Sequence, residues 1–89
     1  MEGRRLILNP GEHETILEDC EAGYAGGVLW LYLNGVTMAQ AFALLSDEAN
    51  TTVIVFQYGD MEDRYEGMTR LTGIMDDGEQ VRASLKKGE

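Results

Sequence analysis

The chain has few of the residues that build disulfides, metal sites or redox centres. It contains one Cys, one His and one Pro in 89 residues. Cys20 has no second cysteine with which to form an intramolecular disulfide, and His13 has neither a second His nor a nearby Cys with which to hold a metal ion. We therefore expect synthesis in the reducing cytoplasm, no metal site and no cofactor.

Long apolar runs are also missing. The first fourteen residues hold an apolar run of only three residues after Arg4 and Arg5, which is too short for a signal peptide. No run approaches the roughly 20 residues that cross a membrane, so we predict no membrane association. The composition is 44% hydrophobic and 26% charged, which is ordinary for a globular chain, and the length predicts one small domain spanning residues 1–89.

Basic residues are scarce: seven Lys and Arg stand against sixteen Asp and Glu, for a formal net charge of -9. Between Arg5 and Arg64 there is none, while that interval carries acidic residues at 12, 14, 18, 19, 21, 47, 48, 60, 62 and 63. Such a field repels phosphates and anionic lipids, which argues against direct nucleic-acid binding. The acidic surface either serves solubility or meets a basic partner by imitating nucleic acid.

The stretch from Val28 to Tyr58 holds most of the large apolar residues and predicts strand, helix, strand. Thr37 and Gln40 have the spacing of a capping box, so a helix should begin there and extend to about residue 47. An apolar stripe of that helix should pack on the sheet, with Phe42 meeting buried Trp30 and Phe56. The stripe comprises Met38, Ala41, Phe42 and Leu45. The link from Leu33 to Thr52 suits either a parallel crossover or an antiparallel return.

The flanking segments predict further strands. Residues 4–8 and 13–18 should form a hairpin around Asn9-Pro10-Gly11-Glu12, and residues 63–75 a long strand with a bend or bulge at its glycines. Asp76-Asp77-Gly78 should turn that strand into a last one. The predicted fold class is α+β: a mostly antiparallel sheet of about five to six strands, with one α-helix at about residues 37–47 packed on one face.

No motif with a chemical mechanism appears. The glycine-rich segment EDCEAGYAGG precedes a strand and lacks phosphate-binding spacing, and the acidic turns near residues 60 and 76 lack the spacing of a calcium loop. Cys20 has no base near it in sequence. We therefore predict that the protein is not an enzyme and has no catalytic residues.

Three segments carry a resemblance to a known group of proteins: GYAGGVLWLYLNGVTMAQAF, TTVIVFQYGDMEDRYEGMTRL and DDGEQVRASLKKG. They resemble small uncharacterised proteins encoded in phages and prophages of gut Firmicutes, typically within structural or tail gene modules. The resemblance covers roughly residues 5 to 88. It implies a genomic setting and assigns no role to any residue.

These observations favour a non-enzymatic accessory or structural protein of a phage-derived particle, made in the cytoplasm and suited to incorporation in a virion. It would associate with itself or dock on another virion component, with contacts centred on aromatic residues and acids at the rim. The predicted partner-binding residues are Tyr58, Asp60, Glu62, Asp63 and Tyr65. The alternative is an acidic inhibitor that imitates nucleic acid and blocks a nucleic-acid-binding protein.

Overall fold

The computed structural model describes residues 3–88, which form eight strands and two short helices. Every strand pairing is antiparallel, and the strands form two four-stranded sheets. Sheet A has the order β2-β1-β5-β6, and sheet B the order β3-β4-β8-β7. The elements are β1 Arg4–Leu8, β2 Thr15–Glu18, β3 Glu21–Ala25, β4 Val28–Leu33, α1 Met38–Leu45, α2 Glu48–Thr51, β5 Val53–Tyr58, β6 Met61–Glu66, β7 Arg70–Asp76 and β8 Val81–Lys86.

The chain moves between the sheets at two short corners and through the helical segment. Asp19 and Cys20 link β2 to β3, and the Asp19 backbone has φ 59° while its N–H donates to the Arg4 carbonyl at 2.7 Å. Residues 67–69 link β6 to β7, beginning at Gly67 with φ 76°. Glycine reaches this left-handed region without steric cost, so Gly67 lets the chain leave sheet A within one residue.

The core lies between the inner faces of the two sheets. Sheet A contributes Leu6, Leu8, Ile54 and Phe56, and sheet B contributes Leu29, Leu31, Leu33, Val81, Ala83 and Leu85. The corners add Cys20 and Met68, and α1 adds Ala41 and Leu45. Alternation along each strand explains this selection, because successive side chains point to opposite faces.

The predicted capping box is present at the start of α1. The Thr37 hydroxyl accepts the Gln40 N–H at 3.1 Å, and the Gln40 Oε1 accepts the Thr37 N–H at 2.8 Å. Helix α1 lies beside β7 of sheet B, and α2 lies beside β5 of sheet A. The helical segment therefore bridges the two sheets.

The prediction of a mostly antiparallel protein with a helix after Thr37 is confirmed. The predicted single sheet of five to six strands with one helix on one face is wrong, because the strands divide between two sheets and two short helices, α1 beside sheet B and α2 beside sheet A, bridge them. The predicted strand 63–75 is β6 and β7, bent apart at Gly67 and carrying a bulge between Leu71 and Gly73. Since β4 and β5 lie in different sheets, their link is neither a parallel crossover nor an antiparallel return.

The predicted contact of Phe42 with Trp30 and Phe56 is also wrong. Phe56 is 8% exposed, as expected, but Trp30 is 41% exposed and Phe42 is 54% exposed. Both faces of the β4 segment VLWLYL are apolar, and its leucines take the inner one. Helix α1 turns Ala41 and Leu45 inward, which leaves Phe42 on the solvent side. Among residues 3–88, no helix is both long and apolar enough to cross a membrane.

Candidate functional site

The five predicted partner-binding residues lie on the β5–β6 hairpin, on different sides of it. Tyr58, Asp63 and Tyr65 are half-buried, whereas Asp60 and Glu62 are exposed. Asp60 is in the two-residue turn between the strands. The structure thus brings three of the five residues together and separates the other two from them.

Tyr58, Asp63 and Tyr65 form an aromatic cluster with Tyr24 and Phe56 where the inner face of sheet A reaches its edge. The Tyr58 hydroxyl donates to Asp63 Oδ2 at 3.1 Å, and its ring stacks on Phe56 with centroids 4.7 Å apart. Tyr65 stacks on Tyr24 of β3 at 5.8 Å, which ties this edge to sheet B. Each of the four rings is therefore already engaged in a stacked pair.

The surroundings in the cluster also raise the pKa of two phenol groups. The hydrogen bond to Asp63, followed by desolvation and the charge of that carboxylate, raises the pKa of Tyr58. Burial and then the Asp63 charge raise the pKa of Tyr65. Both phenols therefore stay protonated at neutral pH, where they can donate hydrogen bonds but cannot act as bases.

Glu62 points to the opposite face, where its Oε1 accepts a hydrogen bond from the Gln57 side chain at 3.0 Å. Gln57 in turn accepts from Arg5 Nε at 2.8 Å, and Arg5 lies 3.9 Å from Glu18. This polar row crosses the outer face of sheet A from β6 to β2. Glu62 is part of a surface network and does not belong to the aromatic cluster.

The second acidic turn has a structural use. Asp76 Oδ1 accepts the Gly78 N–H at 2.9 Å, and Asp77 Oδ1 accepts the N–H groups of Glu79 and Gln80 at 3.0 and 2.9 Å. The hydrogen bonds from the Gln80 and Glu79 N–H groups lower the pKa of Asp77, with Gln80 contributing most. Side chains of this kind stabilise turns by replacing backbone acceptors. The residues 3–88 contain no group of three His, Cys, Asp or Glu arranged to hold a metal ion.

A groove on the outer face of sheet B is a feature that the sequence did not predict. Trp30 is paired across the strands with Gly23 of β3 and Ser84 of β8, and Ser84 is paired with Gly73 of β7. This row has one large side chain among three small ones, which leaves the indole uncovered. A Cβ at Gly73 would lie 3.1 Å from Ser84 Oγ, which is a tight contact. The glycine avoids it and adds no side chain to the floor of the groove.

The next row along the strands forms the wall of the groove. It contains Tyr32, Arg82 and Met75, of which Met75 is 54% exposed. Asp77 holds Arg82 in a salt bridge of 2.7 Å. Together with Trp30, these residues line a groove of about 490 Å³. One sequence signal could have indicated the groove: β4 carries a Trp, and each of the two strands that pair with β4 has a small residue, Gly23 or Ser84, opposite it.

Two polar groups of the groove, the Ser84 hydroxyl and the Arg82 guanidinium, already have partners. The Ser84 hydroxyl lies 2.9 Å from that of Thr72, which also donates to the Ser84 carbonyl at 3.1 Å. Among the hydrogen bonds of residues 3–88, these two hydroxyls have no carboxylate or imidazole partner, which a nucleophilic hydroxyl would need. Exposed Trp, Tyr, Met and Arg are the residue types enriched at protein contacts. Comparison of the chain with protein-family models, curated proteins and solved structures gave no significant match.

Proposed function

We propose that the protein acts by binding a protein partner, in the first place a second copy of itself, and not by catalysis. The observation that carries the proposal is the Trp30 groove. The Trp30 indole and the Met75 side chain are exposed there on the outer face of sheet B, and Arg82 lies at the wall of the groove, paired with Asp77. Such a surface loses unfavourable contact with water when another protein covers it.

The resemblance to phage-encoded proteins extends this proposal to a structural or accessory role in a phage-derived particle. In that role the partner would be a further copy or another virion component. The aromatic cluster of Tyr58 and Tyr65 was the expected centre of the contact. The groove is the stronger candidate, because Trp30 is open while those two rings are half-buried against their neighbours.

The test uses Trp30, the only tryptophan of the chain, as its own reporter. Sedimentation velocity over a range of concentrations should show an oligomer, and the tryptophan emission should shift to shorter wavelength as it forms. Trp30→Ala should abolish the oligomer. Phe42→Ala is the matched control, since it removes an exposed aromatic residue that does not line the groove.

Docking on another component is tested with the purified products of neighbouring genes, mixed one at a time with the wild type and with Trp30→Ala. A complex that forms equally with both would contradict the groove as the contact surface. A strict monomer that binds none of these products and shows no change in tryptophan emission would contradict the whole proposal.

The alternative function is an acidic inhibitor of a nucleic-acid-binding protein, and the charge layout supports it. Asp60 and Glu62 are exposed on the β5–β6 hairpin, next to half-buried Asp63. If these acids imitate phosphates, binding to a basic protein must weaken steeply with salt. The Asp60→Asn, Glu62→Gln, Asp63→Asn variant should then lose the ability to displace nucleic acid, whereas a contact through the Trp30 groove should survive both salt and substitution.

A further inference from the structure

Strand β6 is an edge of sheet A, and among the described strands it pairs only with β5. Tyr58 and Met61 flank a two-residue turn, so they form a directly hydrogen-bonded pair, and every second pair after them repeats this pattern. The Gly67 N–H, which donates to the Thr52 carbonyl at 2.8 Å, continues the same ladder. The backbone N–H and C=O groups of the three residues between, Glu62, Arg64 and Glu66, therefore point away from β5.

The other edges of the described sheets are less open. Strand β2 has four residues, and β3 lies beside β1, to which the Arg4–Glu21 ion pair joins it. Strand β7 contains the bulge between Leu71 and Gly73 and lies beside α1. Strand β6 has six residues, no bulge and no Pro. Proteins usually protect an edge of this kind, since its free backbone groups can pair with another strand.

The side chains of the three edge residues carry alternating charge. Glu62, Arg64 and Glu66 are exposed on the outer face, and Arg64 Nε lies 2.7 Å from Glu66 Oε2. If two copies paired antiparallel through all three residues, Arg64 would stand opposite Arg64 and Glu62 opposite Glu66. Like charges directly opposite each other destabilise a strand pair. The pattern thus opposes the longest self-pairing and favours a strand with the opposite charges.

A small pocket lies beside the same edge. Tyr24, Tyr65 and Met68 form its apolar part, next to Arg64, Glu66 and Lys87, and its volume is about 280 Å³. A strand added to β6 would turn its uncharged residues toward the side of Asp63 and Tyr65, since alternate residues share a face. An apolar side chain of the added strand could enter this pocket.

We propose that the β6 edge binds an extended segment of another protein by strand addition. The segment carries a basic, an acidic and a basic residue at alternate positions, with apolar residues between them. The charged residues stand opposite Glu62, Arg64 and Glu66, and the backbone hydrogen bonds of the added strand supply the remaining affinity. This site is separate from the Trp30 groove, which lies on the other sheet.

The test uses two peptides, one with the core Lys-Val-Glu-Val-Lys and one with the charge-swapped core Glu-Val-Lys-Val-Glu. The wild type should prefer the first by roughly tenfold or more, since three cross-strand pairs change from opposite to like charge. The Glu62→Lys, Arg64→Glu, Glu66→Lys variant should reverse the preference. Amide hydrogen exchange should slow at residues 62, 64 and 66 when the preferred peptide binds.

Two controls separate strand addition from general electrostatics. In the triple variant Glu62→Lys and Glu66→Lys each add 2 to the net charge and Arg64→Glu removes 2, so the net charge rises by 2. The double variant Glu12→Gln, Glu79→Gln raises the net charge by the same amount without altering β6. That double variant should keep the wild-type preference. Methylation of the central backbone nitrogen of the first peptide should abolish its binding.

The proposal is overturned if the wild type binds neither peptide or both equally, or if the folded triple variant does not reverse the preference. It is also overturned if the edge amides become protected with rising protein concentration and no peptide, because the occupant is then a second copy. Failure of this test leaves the Trp30 result unaffected, since Trp30→Ala and the β6 variants alter different sheets.

Discussion

Phe42 and Phe56 are the only two phenylalanines of the chain, and they lie in opposite environments. Phe56 belongs to the core cluster between the sheets, while Phe42 lies on the solvent side of α1. The pair shows how little residue type alone says about burial. It also provides a matched comparison of the same substitution at two sites.

We expect Phe56→Ala to lower the free energy of unfolding by about 3–5 kcal/mol, because it removes a buried ring and leaves a cavity. Phe42→Ala should cost about 1 kcal/mol or less, since half of that side chain is already in water. Chemical denaturation of both variants measures the difference. Equal losses would contradict the placement of the two rings.

Cys20 is the buried corner residue between β2 and β3. Its sulfur accepts the Asn34 N–H at 3.3 Å and donates toward the Glu18 carbonyl at 3.3 Å. Burial is the main cause that raises the pKa of the Cys20 thiol, and the charges of Asp19 and Glu18 add to it. The folded protein therefore holds the thiol proton more tightly than the unfolded chain does.

This difference predicts a loss of stability at alkaline pH. A raised folded-state pKa contributes stability that is complete below the unfolded-state pKa of the thiol and is lost as pH rises through the folded-state value. We expect the denaturation midpoint of the wild type to fall more steeply above neutral pH than that of Cys20→Ser, whose hydroxyl does not titrate there. Because Tyr58 and Tyr65 titrate in both proteins, the comparison isolates Cys20. Parallel curves would contradict it.

At the scale of the element, α1 depends on its N-terminal cap. The helix has eight residues, too few to be stable alone, and it carries no acidic residue in its first turn to favour the helix dipole. The two reciprocal hydrogen bonds of Thr37 and Gln40 are therefore its main local stabilisation. Packing of Ala41 and Leu45 supplies the rest.

Thr37→Ala should lower the free energy of unfolding by about 0.5–2 kcal/mol, because the Gln40 N–H loses its acceptor. Gln40→Ala should also destabilise the protein, whereas Gln40→Glu should be close to wild type, since Glu also completes a capping box. Chemical denaturation of the three variants provides the measurement. An unchanged midpoint for Thr37→Ala would mean that the cap contributes nothing.

The hairpin turns are also decided locally. Gly26 and Gly27 have φ of 59° and 79° and directly join the paired residues Ala25 and Val28. Positive φ at both central positions is the requirement of a type I′ turn, which matches the twist of the flanking strands. A Gly-Gly pair meets this requirement without steric cost.

At the scale of the whole molecule, the net charge of -9 sets how the protein responds to salt. The structure contains four ion pairs among residues 3–88, and their side chains are mostly exposed. Exposed pairs are worth about 0–1 kcal/mol each, so screening them costs little. Screening of the excess negative charge favours the compact state.

The thermal midpoint should therefore rise when sodium chloride is added to a low-salt buffer. Glu12→Lys with Glu79→Lys brings the net charge from -9 to -5, since each substitution adds 2, and this variant should respond less. Thermal unfolding followed by circular dichroism measures both proteins. A midpoint that falls with salt would mean that the ion pairs outweigh the self-repulsion.

The sequence by itself determined the local features of this protein. The capping box fixed where α1 begins, Asp76-Asp77-Gly78 marked a hairpin, and alternation selected the inner residues of β5 and β8. These features involve residues within about four positions of one another. Their hydrogen bonds and backbone angles form in the same way whichever sheet the strand joins.

The tertiary structure alone decided the division into two sheets, and with it both candidate surfaces. The alternation of side chains along residues 63–75 is the same whether they form one long strand or two strands separated by a bend at Gly67. The two-residue period of a strand carries no information about which strand pairs with it. In β4 both faces are apolar, so only the opposing sheet decided that its leucines turn inward and Trp30 outward. The groove and the open β6 edge follow from that choice, since each is made by residues that meet only when distant strands pair.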